Sequence, residues 1–233
     1  ENIMRKKKKM SMQNIMRNDI DAKTDIIAGV TGSGNINVRN GDVDAHEGNV
    51  YAEIVGDGQI YFANDVTAGS DVIALVEGKG SITVDDDVIA ETGNVRMYSK
   101  EGDITVGDDV TAGDSVSIQV AKGQIVIGEQ GQVDDMRDAV IAKNNIDLSV
   151  ADGGTGSVTV YGVINAEDGN VAMSATSENY DSMNGLQNII IDANSRINAG
   201  NDIGLTATRG DIHVTDAVSA GHDLNVRTVT EGS

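Results

Sequence analysis

Hydrophobic and polar residues alternate along this chain in runs of three to five, and the same runs recur about every 22 residues, at least eight times. One run is Ile20-Asp21-Ala22, followed by Val43-Asp44-Ala45, Val66-Thr67-Ala68, Val88-Ile89-Ala90 and Val110-Thr111-Ala112. It returns as Val140-Ile141-Ala142, Ile164-Asn165-Ala166, Ile197-Asn198-Ala199 and Val218-Ser219-Ala220. A second run starts at Ile26, Val50, Val72, Val95, Val116, Ile146, Val171, Ile203 and Leu224. A third starts at Ile36, Ile60, Ile82, Ile104, Ile125, Val158, Ile189 and Ile212, nearly always with a glycine two positions earlier. A period of two is the signature of a strand with one buried face. Gly, Asn and Asp bound the runs, and these residues tolerate tight turns. No segment carries helical apolar spacing over a useful length.

Three short strands in each repeat predict an all-β fold: a right-handed parallel β-helix of about nine triangular coils, each of roughly 22 residues. Stacked coils would lie about 4.8 Å apart, giving a rod of roughly 40 Å. Equivalent residues then form columns, with Val50, Val72, Val95 and Val116 in one and Ile60, Ile82, Ile104 and Ile125 in another. The alanines that close the first run, such as Ala68, Ala90 and Ala112, would fill a corner that admits only a methyl. One repeat cannot bury its own apolar face, so stacking creates the core. The spacing lengthens to 30 residues between Val110 and Val140 and to 33 between Ile164 and Ile197. The excess is expected to loop out near 129–138, 151–156 and 176–188. The division expected is a basic arm over 1–17 and the β-helix over 18–233.

Composition narrows this further. The chain has no Pro, no Cys and no Trp. Absent proline suits a body of laddered strands, where a missing N–H is costly. Absent cysteine excludes disulfides and thiolate metal sites. No apolar run reaches the length of a transmembrane helix. Formal charge is −20, and the basic residues are unevenly placed. Arg5, Lys6, Lys7, Lys8 and Lys9 cluster at the start, leaving 12 basic against 36 acidic residues from Met10 onward. Such a body repels nucleic acid and anionic membrane and attracts cations. The run Met4 to Lys9 looks like the first part of a signal peptide, but the apolar stretch that should follow is missing. A charged arm guarding the first coil's open edge is the simpler reading.

The stretch from Val110 to Ile118, followed by Gly123-Gln124-Ile125-Val126-Ile127, resembles filamentous haemagglutinin-type repeats. The stretch Ile197 to Leu205, followed by Gly210-Asp211-Ile212-His213-Val214, is similar to them as well. Such repeats build two-partner-secreted adhesins and contact-dependent inhibition stalks of Gram-negative bacteria. The resemblance covers residues 20–228 and is specific for architecture. It implies export to the cell surface or beyond, and a fibre-like role. No N-terminal secretion domain is recognisable. The repeat pattern runs to both ends without a clear cap, the expectation for an internal piece of a longer protein or a rod that stacks end to end.

Two columns carry candidate chemistry. The residue before the first anchor is Asp19, Asp42, Asp65, Asp87 and Asp109 in five consecutive coils. Unit charges stacked at strand spacing cost about 1 kcal/mol per neighbouring pair even in water. A Ca²⁺ ion held between coils would relieve this, since calcium favours carboxylate oxygens. The competing reading is turn residues that hydrogen-bond locally. The second column, before the second anchor, is Asn49, Asp71, Asn94, Ser115, Asn145, Asn170, Asp202 and Asp223. Side chains of this kind stacked in register bond along the rod axis, a structural role.

Enzymes that act on polysaccharides occur on β-helices and use clustered carboxylates. Here the acids repeat coil after coil, as a scaffold does and a unique active site does not. Aromatic residues that could stack on sugars are few, and His213 and His222 lack a third ligand. No nucleophilic triad, P-loop or dinucleotide fingerprint is present. The sequence therefore predicts no enzyme. The 176–188 insertion holds Asn179, Tyr180, Asp181, Met183 and Asn184, a candidate surface-binding loop for a host or bacterial ligand. The leading functional expectation is a stalk segment of a secreted adhesin or extracellular fibre. The second is a subunit that polymerises head to tail with like subunits, and the third a polysaccharide-active enzyme.

Overall fold

The computed structural model describes residues 14–16, 19–129, 138–176, 187–192 and 196–229. Every regular element among them is a β-strand, and every strand pairing is parallel. The fold is a parallel β-helix. The first runs stack into one nine-stranded sheet from Ile20–Ala22 to Val218–Ala220, which makes eight full turns. The second and third runs make up the other, sixteen-stranded sheet.

The register follows the sequence columns residue for residue. Val66, Val88, Val110, Val140, Ile164, Ile197 and Val218 pair in succession. So do Ile26, Val50, Val72, Val95, Val116, Ile146, Val171, Ile203 and Leu224. The 30-residue interval after Val110 does not disturb the stack, because Val116 N–H still donates to the Asn145 carbonyl at 2.8 Å. Between Val150 and Thr155 the pairing with Val116–Ile127 shifts register, and it resumes with Gly123 opposite Gly156. The insertions at 130–137 and 177–186 lie outside the described residues.

The core is aliphatic. Ile60, Ile82, Ile104 and Ile125 are completely buried, as are Ala45, Ala68, Ala90 and Ala142 at the tight corner. Full burial of a Val or Ile side chain contributes about 1.5–3 kcal/mol, and each coil supplies several. Ser99 is the polar member of an inward column that otherwise reads Ile54, Val76, Val120 and Val150. It is completely buried, and its hydroxyl donates to the Gly80 carbonyl at 2.7 Å, which removes the cost of burying it.

The second and third strands of a coil do not always separate. Val116–Ile127 runs through the corner as one strand of 12 residues, and Ile146–Tyr161 as one of 16. Even where the two strands are separate, the corner glycines keep the coils bonded. Gly58, Gly80 and Gly102 N–H groups donate at 2.8 Å to the Lys79, Glu101 and Lys122 carbonyls, so hydrogen bonding between coils never lapses at the bend. Their φ values of 154–157° suit glycine, and a Cβ on Gly80 would run into the Gly58 carbonyl oxygen. The sheet bends here rather than ending.

Candidate functional site

The aspartate column sits at the turn that leads into the first strand of each coil. Its backbone and side chain point opposite ways along the rod. Asp87 C=O accepts the Val66 N–H of the coil before at 2.9 Å, while its Oδ1 accepts the Asp109 N–H of the coil after at 2.9 Å. Asp65 Oδ1 accepts Asp87 N–H at 3.2 Å, and Asp19 Oδ1 accepts Asp42 N–H at 3.3 Å. The Asp19, Asp65 and Asp87 carboxylates each satisfy a turn N–H that no strand pairing reaches.

The second column works by the same rule. Asp25 Oδ1 accepts both the N–H and the Nδ2 of Asn49, at 2.9 and 3.0 Å. Asn49 Oδ1 accepts Asp71 N–H at 3.0 Å, and Asp71 Oδ1 accepts Asn94 N–H at 2.7 Å. Further along, Ser115 Oγ accepts from Asn145, Asn145 Oδ1 from Asn170, Asn170 Oδ1 from Asp202, and Asp202 Oδ1 from Asp223. The ladder is real, but its constant link is side chain to backbone; amide-to-amide contact is secondary. A third ladder precedes the third strand, where Asn35 Oδ1 holds Gln59 N–H at 2.9 Å and Asp103 Oδ1 holds Gln124 N–H at 2.8 Å.

What sets the aspartate column apart is charge density. Carboxylate oxygens of Asp65, Asp86 and Asp87 lie within 4.8 Å of one another, and so do those of Asp87, Asp108 and Asp109. Burial raises the Asp65 carboxyl above its usual range, with Asp86, Asp87 and Asp42 adding to the rise and the Asp87 N–H opposing it. Asp109 is pushed up to about 6, first by burial and then by the Asp87, Asp138 and Asp86 carboxylates. Asp138 was not legible as a member of this cluster. It precedes the column position, which Ala139 fills, and it follows the 130–137 insertion.

Two ligands on one Ca²⁺ are at most about 5 Å apart, since each lies 2.3–2.6 Å from the ion. Either aspartate triad meets that spacing and offers only hard oxygen donors. Three carboxylates are half or fewer of the six to eight ligands calcium takes, so water or backbone would supply the rest. Histidine takes no part in either triad. His46 instead bridges Asp21 and Asp44 on the rod surface, at 3.0 and 3.2 Å. Asn179, Tyr180, Asp181, Met183 and Asn184 lie outside the described residues. No helix among the described residues is long and apolar enough to cross a membrane.

A groove that was not legible in the repeat pattern lies on the outer face of the third strands. Asn37, Tyr61 and Thr83 pair in register along its floor. The Tyr61 hydroxyl donates to Asp85, and this hydrogen bond is the first cause of the raised Tyr61 phenol pKa, ahead of burial. No protein-family model, curated protein or solved structure matches this chain.

Proposed function

We propose that this chain is a stiff spacer: a stalk segment of a secreted bacterial adhesin or extracellular fibre, of the kind filamentous haemagglutinin-type repeats build. The observation that carries this reading is the continuity of the stack, which local register shifts do not end. Nine first strands and nine second strands pair in order from coil to coil, across intervals that range from 21 to 33 residues. The insertions leave the stack continuous, as a spacer requires. The side-chain ladders add hydrogen bonds parallel to the rod axis at the corners, in the direction a stalk is loaded. The net charge of −20 keeps neighbouring rods apart in solution.

Antibody labelling of intact and permeabilised source cells tests the reading. Labelling of intact cells, or of fibres shed from them, supports it. Signal confined to the interior of permeabilised cells would sink it.

A second reading is head-to-tail association of like subunits. It rests on Leu224 and Val226, which continue the inward columns of Ile203 and Leu205 yet are each 51% exposed. A further coil of a longer chain would cover them as well as a second copy would. Sedimentation across a range of concentrations separates the two, because only the second copy makes mass rise with concentration.

A further inference from the structure

The groove over Asn37, Tyr61 and Thr83 is open to solvent, offers about 650 Å³ and runs parallel to the rod axis. Gln59 and Ser81, just before the third strands, form one rim. On the other side the lining is Arg39 and Asn40, just after the strand Ile36–Val38. Ala63 N–H bonds to the Val38 carbonyl and Asp85 N–H to that of Phe62, so Arg39, Ala63 and Asp85 stack on three successive coils. Arg39 and Asp85 therefore stand about 10 Å apart, two coil spacings, with only an alanine methyl between them.

Three features distinguish this groove from ordinary rod surface. Tyr61 is tied to Asp85 on the next coil, so its ring is fixed across the floor. Asn37 belongs to the outward-facing row yet is only 7% exposed. Arg39 is exposed, lies close enough to Tyr61 to act on its phenol, and makes no ion pair among the described residues. On a chain with 37 acidic residues, a guanidinium left over a polar groove is distinctive.

We propose that this groove binds a carboxylate-bearing sugar unit of an oligosaccharide laid along the rod. Arg39 takes the sugar carboxylate through its two-pronged guanidinium, a geometry lysine cannot reproduce. The Tyr61 ring offers an apolar face to the C–H face of the sugar ring. The amides of Asn37 and Gln59 and the hydroxyls of Ser81 and Thr83 meet the sugar hydroxyls as both donors and acceptors. The net negative charge of the rod acts against an anionic ligand at long range. It is screened beyond about 8 Å at physiological salt, so the local guanidinium decides the outcome.

The test is a ¹H–¹⁵N NMR titration of the whole chain with tri-galacturonate, with its fully methyl-esterified form as the neutral control. The expected result is saturable shifts at Asn37, Gln59, Tyr61 and Thr83, and affinity at least about tenfold lower for the ester. Arg39→Ala and Arg39→Lys should each weaken tri-galacturonate at least about fivefold. Tyr61→Ala should do the same, while Tyr61→Phe keeps most of the affinity. Arg96→Ala, on the second-strand face, serves as the surface-charge control and should bind as the parent does. Melting curves for each variant show that Arg39 and Tyr61 are not simply needed for folding. Absence of shifts at the groove, equal binding of the ester, or undiminished binding by folded Arg39→Ala would overturn the proposal.

Discussion

At the residue scale one rule accounts for most of the polar side chains near the coil corners. The residue before each strand offers an oxygen to the N–H of its counterpart on the next coil. Asp71 is a clear case, accepting both the N–H and the Nδ2 of Asn94. Asp71→Ala should cost about 1–3 kcal/mol by stranding those donors, while Asp71→Asn keeps most of the stability. Thermal denaturation of the two variants checks this. Equal loss in both would mean the charge mattered rather than the acceptor.

Asp109 gives a pH prediction of definite sign. Its folded carboxyl titrates near 6, against about 3.9 for an unfolded aspartate. The folded chain therefore holds this proton more tightly. The stability contributed is complete below the unfolded value and is lost as pH rises through 6. Asp65 is shifted in the same direction. Melting temperature should rise as pH falls from 7 to 5, by roughly 2–4 °C for each kcal/mol gained. Asp109→Asn should flatten that dependence. A wild-type Tm that falls over the same interval would contradict the assignment.

The columns themselves were legible in the sequence, because period and spacing alone fix which residues stack. Their bonding partners were not, since spacing does not distinguish a neighbour's amide from its backbone N–H. The contact of Tyr61 with Asp85 was hidden for another reason: the ring crosses from one coil to the next, outside any anchor column.

At the element scale, three short runs of alternating residues per repeat became strands in the expected register. The continuity of the second and third strands through the glycine corner was not legible. A glycine in sequence marks a bend, but it does not reveal whether hydrogen bonding survives the bend. Here it does, through Gly58, Gly80 and Gly102. Gly80→Ala should therefore be severe, roughly 2–4 kcal/mol, since the methyl must displace the Gly58 carbonyl. Gly29→Ala, where the added methyl meets nothing, should cost little by comparison. Comparable melting temperatures for the two variants would show that the corner is not constrained as described.

At the scale of the whole molecule, the stack of coils was legible because every repeat depends on its neighbours for a core. The electrostatic consequence of stacking emerged only with coordinates, because Asp138 joins the cluster from the far side of an insertion. The Asp65 and Asp87 carboxylates serve backbone N–H groups at the expense of repulsion within the cluster that Asp109 shares. An amide can do the first job without the second. The double substitution Asp87→Asn with Asp109→Asn should thus raise the Tm at pH 7 in EDTA. Ca²⁺ and Mg²⁺ should act alike on the parent if they only screen the cluster. A Ca²⁺-specific rise that the double variant loses would make the cluster a cation site.

The spacer reading is tested most directly by pulling a single chain from its two ends. A load-bearing rod should keep its folded length under tension and then yield in discrete steps. Each step should release about one coil, roughly 75 Å of chain at about 3.4 Å per residue. Smooth extension at low force, with no plateau and no steps, would contradict the account.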